Sequence, residues 1–474
     1  MPLFVKYIQA FGRFQRNAQL YLVSNALSGV SAGILLVLYN LYLVSLGYKT
    51  DFIGLVLFAI TLGAGCAIFP AGLCVDRFGG KVILILTTLG FGAVGAGQIL
   101  FRQPLPLLVS GFVAGIITAF FLVVNAPYLT NNSTPEERPQ LFSLNIVVQL
   151  GTTVLGEVLG GAMPQWLRMV AWLMAPLPSQ LQWLLATQSG TRSYQLALLS
   201  AGVIALPSLV PLFFLRDERH VREPRDRQCV NAQGKHKRVG ATLAVSLSSL
   251  AHRVGETVQR LNMQGYRPSS FLKRTEGPPY TFFRAIVANP FSALLLAWIL
   301  VGLGAGLFIP YFNVYFVQQL KASPALFGII DGGANGINAL FTLVAPLIAL
   351  RLGKINTVAL TRLISLPLLL IIGFTSVLPL AALLYLLRQG AMDMSNGIFQ
   401  VYSMEAVPEQ RRGVANSSYQ AAMQVSWAVT TPLGGFLIAH VGYAPVFIGG
   451  ATLYLLAIVL LWMRFRGQED TNVA

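Results

Sequence analysis

Two apolar runs, Phe52 to Val75 and Val82 to Phe101, are joined by a short hydrophilic turn centred on Asp76-Arg77-Phe-Gly79-Gly80-Lys81. A bilayer core takes about 20 residues at ~1.5 Å rise each, so each run is long enough to cross it. In hydrocarbon the backbone must satisfy its own hydrogen bonds, which leaves helices or closed barrels. The runs are continuous rather than alternating, which excludes the barrel. Only 11% of residues are charged and 55% are hydrophobic, against about 25% charged in a soluble chain. The same pattern places spans at Leu20–Leu46, Phe52–Val75, Val82–Leu100, Leu105–Leu129, Leu141–Met163 and Tyr194–Leu215. It continues at Phe291–Val317, Ala325–Leu350, Val358–Val377, Leu380–Ala406, Val414–His440 and Ala444–Met463. The fold class expected is an all-α integral membrane protein of twelve transmembrane helices in two pseudo-symmetric six-helix bundles.

The stretches between the spans set the organisation. Residues 1–215 form one bundle, 216–284 a basic cytoplasmic linker, 285–466 a second bundle, and 467–474 a tail. The linker holds fourteen Lys or Arg. Within it Leu243, Leu247, Leu250, Val254, Val258 and Leu261 recur at three- and four-residue steps, an amphipathic helix that suits a membrane surface. The net charge of +16 reads as the positive-inside rule and not as a nucleic-acid footprint. Lys6, Arg13, Arg16, Arg77, Lys81, Arg138, Arg351, Lys354, Arg411, Arg412, Arg464 and Arg466 fall on the side of the amino terminus. The other side carries Lys49, Arg102, Arg168, Arg192 and Lys321. Both termini are therefore expected in the cytoplasm, in an inner or plasma membrane. No cleavable leader is read at the start. The apolar piece Met169–Ala186 is interrupted by Pro176 and Pro178, and making it span would invert every later loop. It is read as an interfacial segment anchored by Trp166, Trp172 and Trp183. Cys66, Cys74 and Cys229 have neither disulfide nor metal spacing, and no metal site or cofactor is expected.

A shift of about 273 residues superimposes the halves. Tyr39-Asn40-Leu-Tyr42 matches Phe312-Asn313-Val-Tyr315, Gly33 matches Gly306, and Pro135-Glu136-Glu137-Arg138 matches Pro408-Glu409-Gln410-Arg411. One residue further along, Arg77-Phe-Gly79 matches Arg351-Leu-Gly353, and Gly160-Gly161 matches Gly434-Gly435. In the first turn Gly72 removes a side chain where a helix could approach. Gly79 and Gly80 allow a tight reversal, and Asp76, Arg77 and Lys81 place charges for pairing or capping. This G-x-x-x-D-R-x-G-x-K form, set after the second span, resembles the signature loop of the major facilitator superfamily, and the duplicated six-helix unit resembles its architecture. The resemblance covers about residues 15 to 466. It implies a substrate site between the halves near the midplane and a gate at Gly72, Asp76, Arg77, Gly79, Lys81, Arg351 and Gly353. The second copy has Leu350 where the first has Asp76, so only the first carries the full gate.

A charge at bilayer depth costs roughly 2.5–3.5 kcal/mol, so each needs a reason. Glu157 stands where the family's antiporter signature in span five has proline. It is either a carboxylate that exchanges a proton or a group hydrogen-bonded to span one or eight. Asp331 and Arg388 lie at similar depths, within a few Å at ~1.5 Å per residue, which suggests an ion pair. The alternative makes Arg388 an anchor for an anionic substrate group. Asp393, five residues on, cannot share the face of Arg388. Glu157, Asp331 and Asp393 are the proton-coupling candidates. Tyr39, Asn40, Tyr311, Asn313, Arg388, Asn396, Gln424 and Trp427, with Gln400, are the cavity candidates.

No G-x-x-x-x-G-K-[ST] loop is present, so ATP does not drive this chain directly. The expected function is secondary transport of a small molecule by alternating access. Proton-coupled efflux of amphipathic compounds is preferred, because spans one and four lack ionised side chains. Uptake of a small metabolite is the alternative. A receptor or scaffold, or a membrane-embedded transferase, are readings from other classes. The transferase lacks a His, Asp or Cys cluster at an interface, so no enzyme is expected. The partners implied are a small-molecule substrate, protons and membrane lipids, without nucleic acid, for a chain acting as a monomer.

Overall fold

The computed structural model describes residues 12, 14–134, 137–176, 178, 180, 182, 184–216, 289–407 and 412–465. The linker with its expected amphipathic helix, the tail, Arg13, Trp183, Arg411 and the Asp76 side chain lie outside what is described. Helices α1 Arg16–Ser45, α2 Thr50–Phe78, α3 Gly80–Leu100, α4 Pro104–Asn131 and α5 Arg138–Met169 follow one another through short turns, and α6 is Ser189–Phe213. After the linker come α7 Pro290–Gln319, α8 Pro324–Leu352, α9 Lys354–Phe374, α10 Leu378–Glu405, α11 Arg412–His440 and α12 Ala444–Phe465. Among the described residues, ten helices are long and apolar enough to cross a membrane by length and composition. The two outside that set, α8 and α10, are 29 and 28 residues long and carry the polar residues discussed below.

The duplication read in the sequence recurs in the geometry. Gly79 and Gly353 hold φ of +83° and +82°, the left-handed region that glycine enters without a Cβ clash. Each therefore ends one long helix and starts the next in a single residue. Tyr42 donates to the Ile99 carbonyl at 2.6 Å, and its counterpart Tyr315 donates to the Ile372 carbonyl at 2.5 Å. In the first half α1 packs on α5 and α6, and α4 on α2 and α3. In the second, α10 packs on α8 and α9, and α9 on α12. Between the halves α2 packs on α11 and α5 on α8.

These inter-half contacts are concentrated at what we call the far end, where α1, α5, α7 and α11 finish and α2 and α8 begin. A buried apolar core there joins Ile34, Val37, Leu41 and Ile53 of the first half with Leu307, Phe312, Phe316 and Phe327 of the second. The near end holds the α2–α3 and α8–α9 turns. Its buried cluster of Phe14, Tyr21, Ile83, Val124, Tyr128, Leu141 and Leu212 comes from the first half alone.

Among the described residues of 169–186 there is no membrane-spanning helix, only a four-residue helical turn, Ala171–Met174. The anchor is Arg192, 2% exposed, which donates to the carbonyls of Leu173, Ala175, Ala186 and Thr187 at 2.7–3.2 Å. Trp166 and Trp172 are exposed, where the amphipathic indole suits an interface.

Candidate functional site at the seam between the halves

The seam is built on paired close approaches. A Cβ on Gly161 of α5 would stand 2.4 Å from the Pro324 carbonyl oxygen of α8, and one on Gly435 of α11 would stand 2.2 Å from the Thr50 carbonyl oxygen of α2. Thr50 also donates to the Gly435 carbonyl at 2.9 Å. Between these crossings α1 meets α7 through a reciprocal amide clasp. Asn40 donates to the Pro310 carbonyl at 2.8 Å and to Asn313 Oδ1 at 3.3 Å. Asn313 donates to the Val37 carbonyl at 3.3 Å. A 3-10 turn at Ile309–Tyr311 interrupts the regular helix, so the Pro310 carbonyl is available to a partner on α1. Tyr311 donates to the Thr431 carbonyl at 2.6 Å. The hydroxyl of Tyr39 has no hydrogen-bond partner among the described residues. Asn40, Tyr311 and Asn313 are thus buried seam contacts, while Trp427 is half-buried and Gln424 and Gln400 are exposed.

Glu157 lies in the α5–α8 part of the seam, 1% exposed. The Asn335 amide of α8 donates to its two oxygens at 3.2 and 3.1 Å. A Cβ on Gly332 would come within 3.6 Å of Glu157 Oε2, so the carboxylate rests on the turn of α8 that bears Asp331. Asp331 accepts from Tyr385 of α10 at 2.7 Å. It forms no ion pair with Arg388, contrary to expectation. Arg388 is 1% exposed, with its guanidinium 5.0 Å from the Phe308 ring centroid and 5.7 Å from that of Phe312. Equal depth on two helices does not fix rotation, and these rings hold the arginine away from α8. Buried cation–π contacts of this kind contribute about 2 kcal/mol.

Asp393 is the most heavily hydrogen-bonded carboxylate of the group. Its oxygens accept from Asn338 of α8 and Gln389 at 2.8 Å each, and from Asn396 at 3.2 Å. The carbonyls of two of these amides are engaged elsewhere: Arg388 donates to Gln389 at 3.5 Å and Arg362 of α9 to Asn396 at 3.2 Å. Thr342 donates to the Asn338 backbone carbonyl at 2.8 Å. Arg362 also donates to Ser395 at 3.0 Å and stacks on Phe399. Hydrogen bonds to a charged group contribute about 1.5–3 kcal/mol each, so three offset the insertion cost of one carboxylate.

Sequence reasoning weighed the charges singly and missed their setting. On α8, Asp331, Asn335, Asn338 and Thr342 recur at i, i+4, i+7 and i+11, one face of a helix. On α10, Tyr385, Gln389, Asp393, Asn396 and Gln400 recur at i, i+4, i+8, i+11 and i+15, again one face. The most exposed members, Thr342 and Gln400, lie toward the near end, and the least exposed, Tyr385, toward the far end.

The gate residues sit at the near end. Lys81 donates to the Leu215 carbonyl just beyond α6 at 2.6 Å, and Lys354 pairs with Glu405 at the end of α10. Each lysine thus meets the carboxyl end of a neighbouring helix or the side chain there, where positive charge is favoured. Arg77 and Arg351 are exposed. Among the described residues nothing lies within 4 Å of a Cβ built on Gly72, so none of them makes the close approach expected there.

These features define an all-α, multi-pass integral membrane protein whose second half repeats the first. A family model described as the Major Facilitator Superfamily matches residues 21–417, with a second match at 294–473, and the chain belongs to that superfamily. The MFS-type transporter YhhS of Escherichia coli O157:H7 is 25% identical over 203 residues, 41% of this chain and 47% of that protein. YhhS of Salmonella enteritidis is 28% identical over 160 residues, 34% of each. The chain thus spans less than half the length of these relatives. A bacterial homologue of the human lysosomal transporter Spinster, inward-facing and unoccupied, superimposes with a TM-score of 0.65 at 13% identity, covering 95% of this chain and 96% of that one. A bacterial homologue of the iron transporter ferroportin, also inward-facing, gives 0.64 at 17% identity over 94% and 98%. A D-xylose–proton symporter gives 0.60 at 14% over 95% and 97%. These likenesses are of fold.

Proposed function

We propose that the chain is a secondary transporter that moves a small polar metabolite by alternating access, in the direction of uptake. Twelve helices cross an inner or plasma membrane in two six-helix bundles, with both termini cytoplasmic. The arrangement described above is then the inward-open state, closed at the far end. The observation that carries this reading is the asymmetry of the seam. Crossings, amide clasp and shared core gather at the far end, and the polar faces of α8 and α10 become more exposed toward the near end. A carrier needs a closure of this kind that can be exchanged for one at the other end.

Export of amphipathic compounds, preferred from the sequence, suits this site less well. Twelve polar or charged side chains from α5, α8, α9 and α10 lie here in three hydrogen-bonded groups, and a polar solute matches them better than an apolar one. Glu157 is the group through which a proton couples to the motion. Its carboxylate belongs to one half and its donor, Asn335, to the other, so its proton occupancy bears directly on whether the halves hold together there.

The test is flux into proteoliposomes of the purified chain. A labelled panel of a pentose, a nucleoside, an amino acid and a diamine is offered with and without an imposed pH gradient. Accumulation of at least one solute, driven by the gradient, is expected. Glu157→Gln should lose gradient-driven accumulation and keep exchange of internal for external solute. A chain that moves no solute under either condition, or a Glu157→Gln variant that still accumulates against the gradient, contradicts the reading.

A further inference from the structure

One edge of a buried guanidinium has no acceptor in the protein. Arg388 gives Nη1 to Gln389 at 3.5 Å. Its Nε and Nη2 have no hydrogen-bond partner among the described residues, although the residue is 1% exposed. These two nitrogens form the side of the fork whose N–H groups run parallel, the geometry that meets an anion with two bonds. The Tyr454 hydroxyl of α12, 2% exposed, is likewise without a partner among the described residues. Phe308 brings the two together. Its ring centroid lies 5.0 Å from the Arg388 guanidinium and 5.9 Å from that of Tyr454. The hydroxyl is also within electrostatic reach of Arg388, Arg362 and Asp393. Arg362, 1% exposed, leaves its Nη1 unmet as well.

Nothing in the described surroundings answers these donors. Phe308 and Phe312 meet the Arg388 charge but carry no acceptor. Asp393 is linked to Arg388 through the Gln389 amide, and Asp331 bonds Tyr385. Among the described residues neither guanidinium forms an ion pair. An unmet buried donor is costly, the more so when charged, and arginine cannot shed its proton to escape. The local excess is therefore of donors. A water molecule would accept two of these bonds and bring two more donors with it, whereas an anion brings acceptors alone. The groups also sit apart from the polar face that α10 turns to α8. Arg388, Met392, Ser395 and Phe399 are buried on one stripe of α10. There Ser395 accepts from Arg362 of α9, and Phe399 stacks on Trp298 of α7. All belong to the second half, so rocking of the halves carries them as one body and supplies no new partner.

We infer that Arg388 and Tyr454 hold a small monovalent anion, of the size of chloride or formate, inside the second half, with Arg362 adding to its positive surroundings. The ion is resident and not cargo, because its donors are buried on the side of α10 away from α8. The inference stands apart from the transport reading. It keeps for Arg388 the anion-binding role the sequence suggested, but moves the anion from the solute to the carrier.

The experiment is thermal unfolding of the purified full chain in sodium chloride, bromide, formate or gluconate, at equal pH and ionic strength. Gluconate, too bulky for so enclosed a place, is the reference. Each small anion should raise Tm above the gluconate value and saturate, by about 2 °C near saturation. Arg388→Gln should abolish the saturable rise, and Tyr454→Phe should weaken the apparent affinity several-fold. A crystal grown in bromide should show its anomalous signal between Arg388 and Tyr454. A Tm indifferent to the anion assigns these donors to water and overturns the inference. So does a saturable rise that survives Arg388→Gln, or a bromide crystal with no signal at Arg388. The salt comparison and the bromide position are read on the unsubstituted chain, so a variant that fails to fold leaves both arms standing. Accumulation of labelled chloride or formate in proteoliposomes would make the ion cargo and overturn its residence. Gradient-driven flux of another solute by a chain whose Tm ignores chloride would sink this inference and leave the transport reading intact.

Discussion

Asn40 and Asn313 occupy equivalent places in the two halves, and each reaches a backbone carbonyl of the other half. A side-chain amide is well suited to this. It donates two hydrogen bonds and accepts others without carrying a charge into the bilayer. Asn40 makes two inter-half bonds, to Pro310 and Asn313, each contributing about 1 kcal/mol net. Asn40→Ala should therefore loosen the far-end closure by roughly 1.5–2 kcal/mol and raise the far-end-open population about ten- to thirty-fold. A thiol-reactive probe on a cysteine at the seam would register that as faster labelling; an unchanged rate would mean the clasp holds nothing. This pair was visible in the sequence as a matched position, but only the structure reveals that the two residues meet. The clamp made by Arg192 was not visible, because its partners are backbone carbonyls and carry no side-chain signature. The expected Asp331–Arg388 pair failed for a related reason. Sequence gives depth along a helix well and rotation poorly, and Tyr385, three residues before Arg388, already serves Asp331.

At the scale of the helices, close crossings decide which ends stay together. Gly161 and Gly72 are both helical glycines. A Cβ on Gly161 would collide with the backbone of α8, whereas one on Gly72 would meet nothing within 4 Å. Gly161→Ala should cost about 1–3 kcal/mol through overpacking. Gly72→Ala should be neutral or slightly stabilising, since alanine is the better helix former. Thermal unfolding of the two variants in the same detergent measures this, and equal effects would refute the assignment of the α5–α8 crossing as a packing point. The helices themselves were legible from their apolar runs, because a bilayer leaves the backbone so few alternatives. The polar faces of α8 and α10 were legible too, as four- and three-residue steps, but only to a search for stripes and not for charges. The polar face of α10 keeps that helix out of the ten that pass on apolarity. A helix that lines a solute path trades lipid compatibility for polar contacts.

For the molecule as a whole, duplication supplies two halves with the same internal packing and a seam whose contacts come in pairs related by the repeat. Such a seam can close at one end while it parts at the other, with little change inside either half. On the proposed transport reading, the present arrangement is one of the two states that this mechanism requires. The direct test uses spin-label pairs on a chain with Cys66, Cys74 and Cys229 replaced by serine. One pair, Lys49→Cys with Gln319→Cys, reports the far end, and another, Phe78→Cys with Leu352→Cys, reports the near end. Under a change of pH or added solute that supports flux, the account predicts that the far-end distance lengthens as the near-end distance shortens. Distances that move together, or that both stay fixed while flux proceeds, would contradict it.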